Sequence, residues 1–189
     1  GVITESKSGR TALMAKVVID CSGDGDVAYR SGVPCEKGDA NGGMQPPPLM
    51  FCLAGVDTDK LRHSIADAPP EARTYLTDFI PAEYFGQNQQ FIVVGLRELM
   101  ARAKAERGLE IDNERTIIIT GLKKGEVWIN MTRVKGTDGT SARSLTIGEI
   151  ESRAQIDDIV TYLTEYVPGF EDAYFTKTAP FLGIRETRR

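Results

Sequence analysis

The sequence predicts an α+β fold, a mixed or antiparallel sheet with packed helices, on three observations. Short runs rich in β-branched and apolar residues, at Val17-Val18-Ile19, Leu49 to Val56 and Thr116 to Ile119, read as strands. Two such runs flank the turn "LKKG" and make a hairpin. The elements follow one another as strand, helix, hairpin, helix, strand, which suits a mixed or antiparallel sheet.

Residues 2–5 and 11–20 read as two strands joined by a turn at Ser8-Gly9. Inside the second, Val17, Val18 and Ile19 form a continuous apolar run, the pattern of a strand covered on both faces. The turn "SGDGD" follows, and a helix is expected from about Asp26 to Ser31. Residues 32–48 contain four glycines and four prolines, so this segment is a placed loop, stiffened where Pro46-Pro47-Pro48 leads out of it.

"LMFCLAGV", Leu49 to Val56, is a buried strand, followed by short helices around Asp57 to Ala66 and Pro70 to Asp78. A longer helix is expected from about Gln90 to Arg107, on the stripe Val93, Leu96, Leu99, Met100 and Ala103, with Gly108 as its stop. In the hairpin "RTIIITGLKKGEVWINMTRV", Val127, Ile129 and Met131 share one face, and Trp128, Asn130 and Thr132 share the other. That second face is either partly solvated or lines a ligand cavity. Thr146 to Val167 reads as a helix, with Thr146 and Glu149 at capping-box spacing and Pro168-Gly169 at its end.

The chain has 189 residues, 41% hydrophobic and 26% charged, and no apolar run long enough to span a bilayer. With 23 basic and 27 acidic side chains the net charge is -4, which excludes global attraction to nucleic acid or an anionic membrane. The three cysteines, Cys21, Cys35 and Cys52, are widely spaced, which fits neither a disulfide framework nor a metal clamp; a reducing cytoplasm is expected. His63, the single histidine, falls at a solvated helical position without partners for nucleophilic chemistry. No bound metal is expected.

The acidic turn matches the first half of a calcium loop at Asp20, Ser22, Asp24 and Gly25. The match fails at Ser31, where a bidentate carboxylate is required. Two readings remain: a structural turn in which Asp24 or Asp26 caps the following helix, and a dinucleotide contact at the carboxyl end of a strand. The chain carries no GxGxxG fingerprint.

Taken in order, "AKVVIDCSGDGDVAYRSGVP", "GGMQPPPLMF", "VWINMTRVKGTD", "PGFEDAY" and "APFLGIRETRR" resemble a family of bacterial FAD-dependent oxidoreductases, distantly similar to the fumarate reductase and succinate dehydrogenase flavoproteins. The resemblance runs over almost the whole chain. It implies that residues 1–45 are an incomplete part of an FAD-binding domain, 46–178 a substrate or cap domain, and 179–189 a return to the FAD-binding domain. Ser22, Gly23 and Asp24 then approach the FAD, and Gln45 and Pro46 lie near its isoalloxazine ring. Arg185 and Glu186 belong to the "RETRR" signature beside the active site, with Arg188 and Asn130 placed toward substrate. Where the family usually has alanine-threonine-glycine, this chain has Cys21-Ser22-Gly23, which keeps the hydroxyl; Cys21 is expected to be a small buried residue.

The opening "GVITES" lacks an initiator methionine and the closing "GIRETRR" lacks a polar tail, so the chain is expected to be a segment of a longer polypeptide. Its expected partners are a small-molecule substrate and the remaining parts of the same polypeptide. Alone it is expected to be inactive and not to retain FAD, and exposed sheet edges could pair two copies into a homodimer. The alternative is a self-contained, non-catalytic α+β binding domain, with strands completed internally at both termini and a solvent-filled turn.

Overall fold

The computed structural model describes residues 1–68 and 80–189. The helix expected at Pro70 to Asp78 therefore lies outside the described residues. Two sheets are present among those described. The first is a ribbon of β1 (Val2–Ser6) and β2 (Gly9–Leu13), paired antiparallel from Val2↔Leu13 to Ser6↔Gly9. The second has five strands: β3 (Phe51–Ala54), β4 (Ile92–Gly95), β5 (Thr116–Thr120), β6 (Val127–Ile129) and β7 (Tyr174–Thr178). Their spatial order is β4-β5-β6-β3-β7, and every neighbouring pair is antiparallel. The α+β reading holds, with an antiparallel sheet.

Alternation along the strands gives the sheet one core face. Ile118, Ile129 and Phe51 stand in register across β5, β6 and β3, and all three are fully buried. The helices are α1 (Asp26–Arg30), α2 (Thr58–Ala66), α3 (Ala82–Gln87), α4 (Arg97–Arg107) and α5 (Ala142–Tyr166). The stripe Ile156, Ile159, Tyr162 and Leu163 of α5 joins Met100 and Ala103 of α4 in the core over that face. A 2.6 Å hydrogen bond between the buried Tyr162 hydroxyl and Thr116 Oγ1 ties α5 to β5, and burial pushes the phenol's pKa up. The chain leaves α5 through Gly169 at φ 91°, where a Cβ would collide with the Asp57 carbonyl oxygen, so only glycine fits that corner.

Four expectations are corrected. The second strand ends at Leu13, and the run Val17, Val18 and Ile19 is 76%, 43% and 81% exposed rather than covered. Among the described residues no strand pairs with it. The helix expected from Gln90 begins only at Arg97: Ile92-Val93-Val94 is β-branched and pairs with β5, and a left-handed Leu96 (φ 53°) separates strand from helix. The last helix starts four residues before Thr146, because Ser141 Oγ accepts the Ser144 N–H at 3.3 Å, while the Thr146 hydroxyl donates back to the Ala142 carbonyl. Cys21 is exposed, on the unpaired segment after Ile19; Cys52 in β3 is the buried cysteine. His63 lies exposed on α2, as expected.

The main core draws on residues from Phe51 to Phe170 and on none from 1–48. Among the described residues no helix is long and apolar enough to cross a membrane.

Candidate functional site

The turn after Ile19 is built by its own first carboxylate. Asp20 Oδ1 accepts the Ser22 N–H at 2.9 Å and Oδ2 accepts the Ala28 N–H at 2.8 Å. Hydrogen bonding from Ser22, first through its side chain, and from the Ala28 amide holds the Asp20 carboxyl at about 2. Ser22 Oγ accepts the Asp26 N–H at 3.3 Å. Neither Asp24 nor Asp26 caps α1. Its N-cap is Gly25, left-handed at φ 64°, and that bend carries the chain back over Asp20, which satisfies the helix amide in their place. Gly23 is also left-handed, at φ 86°, and a Cβ built on it would touch nothing within 4 Å, so the turn is open on that side. The Asp24 carboxylate has no partner among the described residues.

The far end of the chain closes onto this turn. Arg188 Nη1 donates to the Asp24 carbonyl at 2.9 Å and to Asp26 Oδ1 at 2.7 Å, and its guanidinium lies 4.4 Å above the Tyr29 ring. Only 11% of this side chain is exposed. Arg189 and Glu36 exchange backbone hydrogen bonds, 3.0 Å from the Arg189 N–H and 2.7 Å from the Glu36 N–H. Arg189 also donates to the Gly38 carbonyl at 2.8 Å and pairs with Glu186. Further back, Glu149 Oε1 on α5 accepts the Leu182 N–H at 2.7 Å.

A third segment, 133–140, lies beside these two. Asp138 accepts Lys37 Nζ at 2.7 Å, the Thr140 N–H at 2.8 Å and the Thr140 hydroxyl at 2.7 Å. Lys37 first, then Thr140, brings its carboxyl down to about 2. Gly139 lies beneath the tail, where a Cβ would meet the Glu186 carbonyl oxygen at 2.9 Å. Lys37 borders two cavities: one of about 110 Å³ with Tyr29, Cys35, Thr140 and Arg188, and one of about 420 Å³ with Met44, Pro46 and Arg133.

The structure thus gathers Ser22, Gly23, Asp24 and Arg188 at one turn. It places Pro46 on the larger cavity and Glu186 against Arg189. Gln45 and Arg185 are exposed and have no side-chain partner among the described residues. Asn130 stands apart. Its N–H donates to the Ile117 carbonyl at 3.0 Å just beyond β6, its side chain shares the outer sheet face with Trp128, and it lines neither cavity. Sequence reasoning missed Lys37, Asp138, Arg133 and Tyr29. Their signals were present as "EKGD", "TRVKGTD" and "VAYR", but nothing local says that these segments meet.

In the comparison with protein families, residues 1–189 match the family described as FAD dependent oxidoreductase. Neither the comparison with curated proteins nor that with solved structures returned a match. The match over the whole length leads to a single assignment: the chain belongs to the FAD dependent oxidoreductase family.

Proposed function

We propose that this chain contributes the substrate-capping part of a flavoprotein oxidoreductase, residues 46–178, together with pieces of its flavin-binding domain, residues 1–45 and 179–189. FAD would supply hydride transfer to or from a small organic substrate, and the protein would supply orientation and electrostatics. The observation that carries this reading is the Arg188 guanidinium on the Asp24 carbonyl and Asp26. It sets the two outer segments side by side while the sheet and helices fill the interval between them, as a cap inserted into a second body would require. The closed, self-contained alternative would join the first strands to the main sheet, whereas among the described residues β1 and β2 form a separate ribbon.

The residues at the turn fit the hydroxyl-bearing part of FAD. Asp20 and Asp26 are committed to the protein itself, which leaves the Asp24 carboxylate as a free acceptor beside the open side of Gly23. A sugar or ribityl hydroxyl donates to such a carboxylate. A pyrophosphate would meet three acids, and α1 has only five residues, with the Ala28 amide already bonded to Asp20. Ser22 and Gly23 allow the backbone to approach. Gln45, with its free amide, and Pro46 would border the flavin edge. Arg185 would counter negative charge developing there, with Glu186 steadying the tail through Arg189. Trp128 and Asn130 would present the sheet's outer face to substrate. Arg188, its guanidinium engaged, is a positioning residue.

The test compares this chain with a version extended by its flanking coding sequence, reading the flavin absorbance band after purification. The extended protein is expected to carry FAD, to lose most of it on Asp24→Ala, and the 189-residue chain to be colourless. An extended protein without FAD would overturn the reading.

A further inference from the structure

Arg133 is held in an unusual way. Exposure alternates along Thr132 to Lys135: Thr132 and Val134 are buried, Arg133 and Lys135 exposed, so both cations project on the same side. The side-chain amide of Gln155, on α5, grips the Arg133 backbone in both directions. Its Oε1 accepts the N–H at 2.7 Å and its Nε2 donates to the carbonyl at 2.9 Å. The guanidinium itself is nearly free. Its Nε lies 3.7 Å from Asp112, whose carboxylate is bonded at 2.7 Å by Lys135, and its two terminal nitrogens have no partner among the described residues.

Arg133 belongs to the wall of the 420 Å³ cavity, which is within the size range of small-molecule sites. Met44 and Pro46 give it an apolar side, and Gly42, Gly43 and Gly136 leave backbone exposed between them. Three cations border the cavity, Lys37, Arg133 and Lys135; Asp138 takes Lys37, Asp112 takes Lys135 and Asp39 is turned onto the Gly43 N–H, which leaves the Arg133 guanidinium as the cation with free donors. A planar fork with a fixed base and free ends matches a carboxylate in two parallel hydrogen bonds. The apolar side of Met44 and Pro46 suits an acid with a carbon body better than inorganic phosphate.

We propose that this cavity binds a small organic acid, its carboxylate on Arg133 and its carbon body against Met44 and Pro46. The inference deepens the flavoprotein reading and rests on it only for the acid's being the substrate. Gln155 acts as a positioning residue by fixing where the fork starts.

Sodium benzoate, benzamide and inorganic phosphate serve as probes in an amide NMR titration of the 189-residue chain, without flavin. Benzoate is expected to shift the amides of Gly42, Arg133 and Gly136 saturably, with benzamide and phosphate weaker by about ten-fold or more, the loss of one charge-assisted contact. Arg133→Leu should weaken benzoate by at least that factor and Arg133→Lys by several-fold, because lysine keeps the charge but loses the fork. Gln155→Leu should weaken it less, with partial retention of the shifts. Lys124→Met, on the distant hairpin loop, is the control for non-specific charge effects. Absence of saturable shifts at those amides, equal affinity for benzamide or phosphate, or an unchanged response in Arg133→Leu would each overturn the proposal. Failure of the extended protein to hold FAD, with benzoate binding intact, would remove the flavoprotein reading and leave the acid site standing.

Discussion

The strand Phe51–Ala54 and the segment Val17–Ile19 carry the same kind of short apolar run, yet they end in opposite surroundings. Phe51, Cys52 and Leu53 are fully buried between β6 and β7 with α5 across the core face, whereas Val17 and Ile19 are among the most exposed large apolar residues of the chain. The difference teaches what such a run specifies. Apolar side chains without alternation state a demand for cover on two faces, and they do not say which element supplies it. At β3 the cover is present: β6 and β7 pair its two edges and the long helix packs over its core face. Residues 17–19 follow in sequence a two-stranded ribbon whose own side chains are mostly exposed, and an isolated ribbon of that kind is marginal in water.

The contrast can be broken most directly by truncation on each side. Phe51→Ala should cost about 3–5 kcal/mol in urea unfolding, because it empties a fully packed position, whereas Val18→Ala should stay within about 0.5 kcal/mol. Comparable losses at the two positions would show that the segment is covered in solution. A smaller effect sharpens the boundary between the regions. Arg188→Leu removes two hydrogen bonds and a ring contact from the turn, roughly 1–2 kcal/mol of local stability. The Tyr29 and Ser31 amides should then exchange about ten-fold faster while the urea midpoint of the main core is unchanged. A midpoint that falls with them would mean that turn and core unfold as one unit.

The smallest effect is the pH response of the turn. The Asp20 carboxyl titrates below its ordinary 3.8, at about 2, so its contribution is fully present above about pH 4 and is lost as pH falls through 2. The Ala28 amide resonance should move with a midpoint near 2, and Asp20→Asn should abolish that movement. A midpoint near 4 would mean that the bonds from Ser22 and Ala28 are not formed.

Local chemistry made much of the sheet legible. The β5–β6 hairpin follows from "TIIIT" and "VWI" around a turn ending in Gly125, and the stop of α4 from Gly108, whose N–H bonds the Lys104 carbonyl at 3.0 Å. The strand Ile92–Gly95 was hidden because Val93 and Leu96 also fit the stripe of the helix that follows, and only pairing with β5 decides between them. The same limit governs the site. The acidic turn and the "RETRR" ending stand out as residue patterns, but the bond from Lys37 to Asp138 joins positions 101 apart, and no periodicity announces it. Asp24 and Asp26 were reasonable caps by spacing. The assignment of that duty to Asp20 depends on the left-handed bend at Gly25, which only backbone geometry reveals.

The long helix α5 has a consequence for which changes of length the chain can absorb. Glu149 holds the tail at Leu182 and Gln155 holds the loop at Arg133, and both grips are set by one rigid screw. A single residue inserted between them would turn one grip relative to the other by about 100°, since the helix has 3.6 residues per turn. The wall bearing Arg133 and the wall bearing the tail would then fall out of phase, while an insertion of the same size at the exposed tip of the β5–β6 hairpin, beside Leu122, would be taken up at the surface. Natural variation in this protein's length should accordingly be concentrated in its connecting segments and spare the six-residue interval from Glu149 to Gln155.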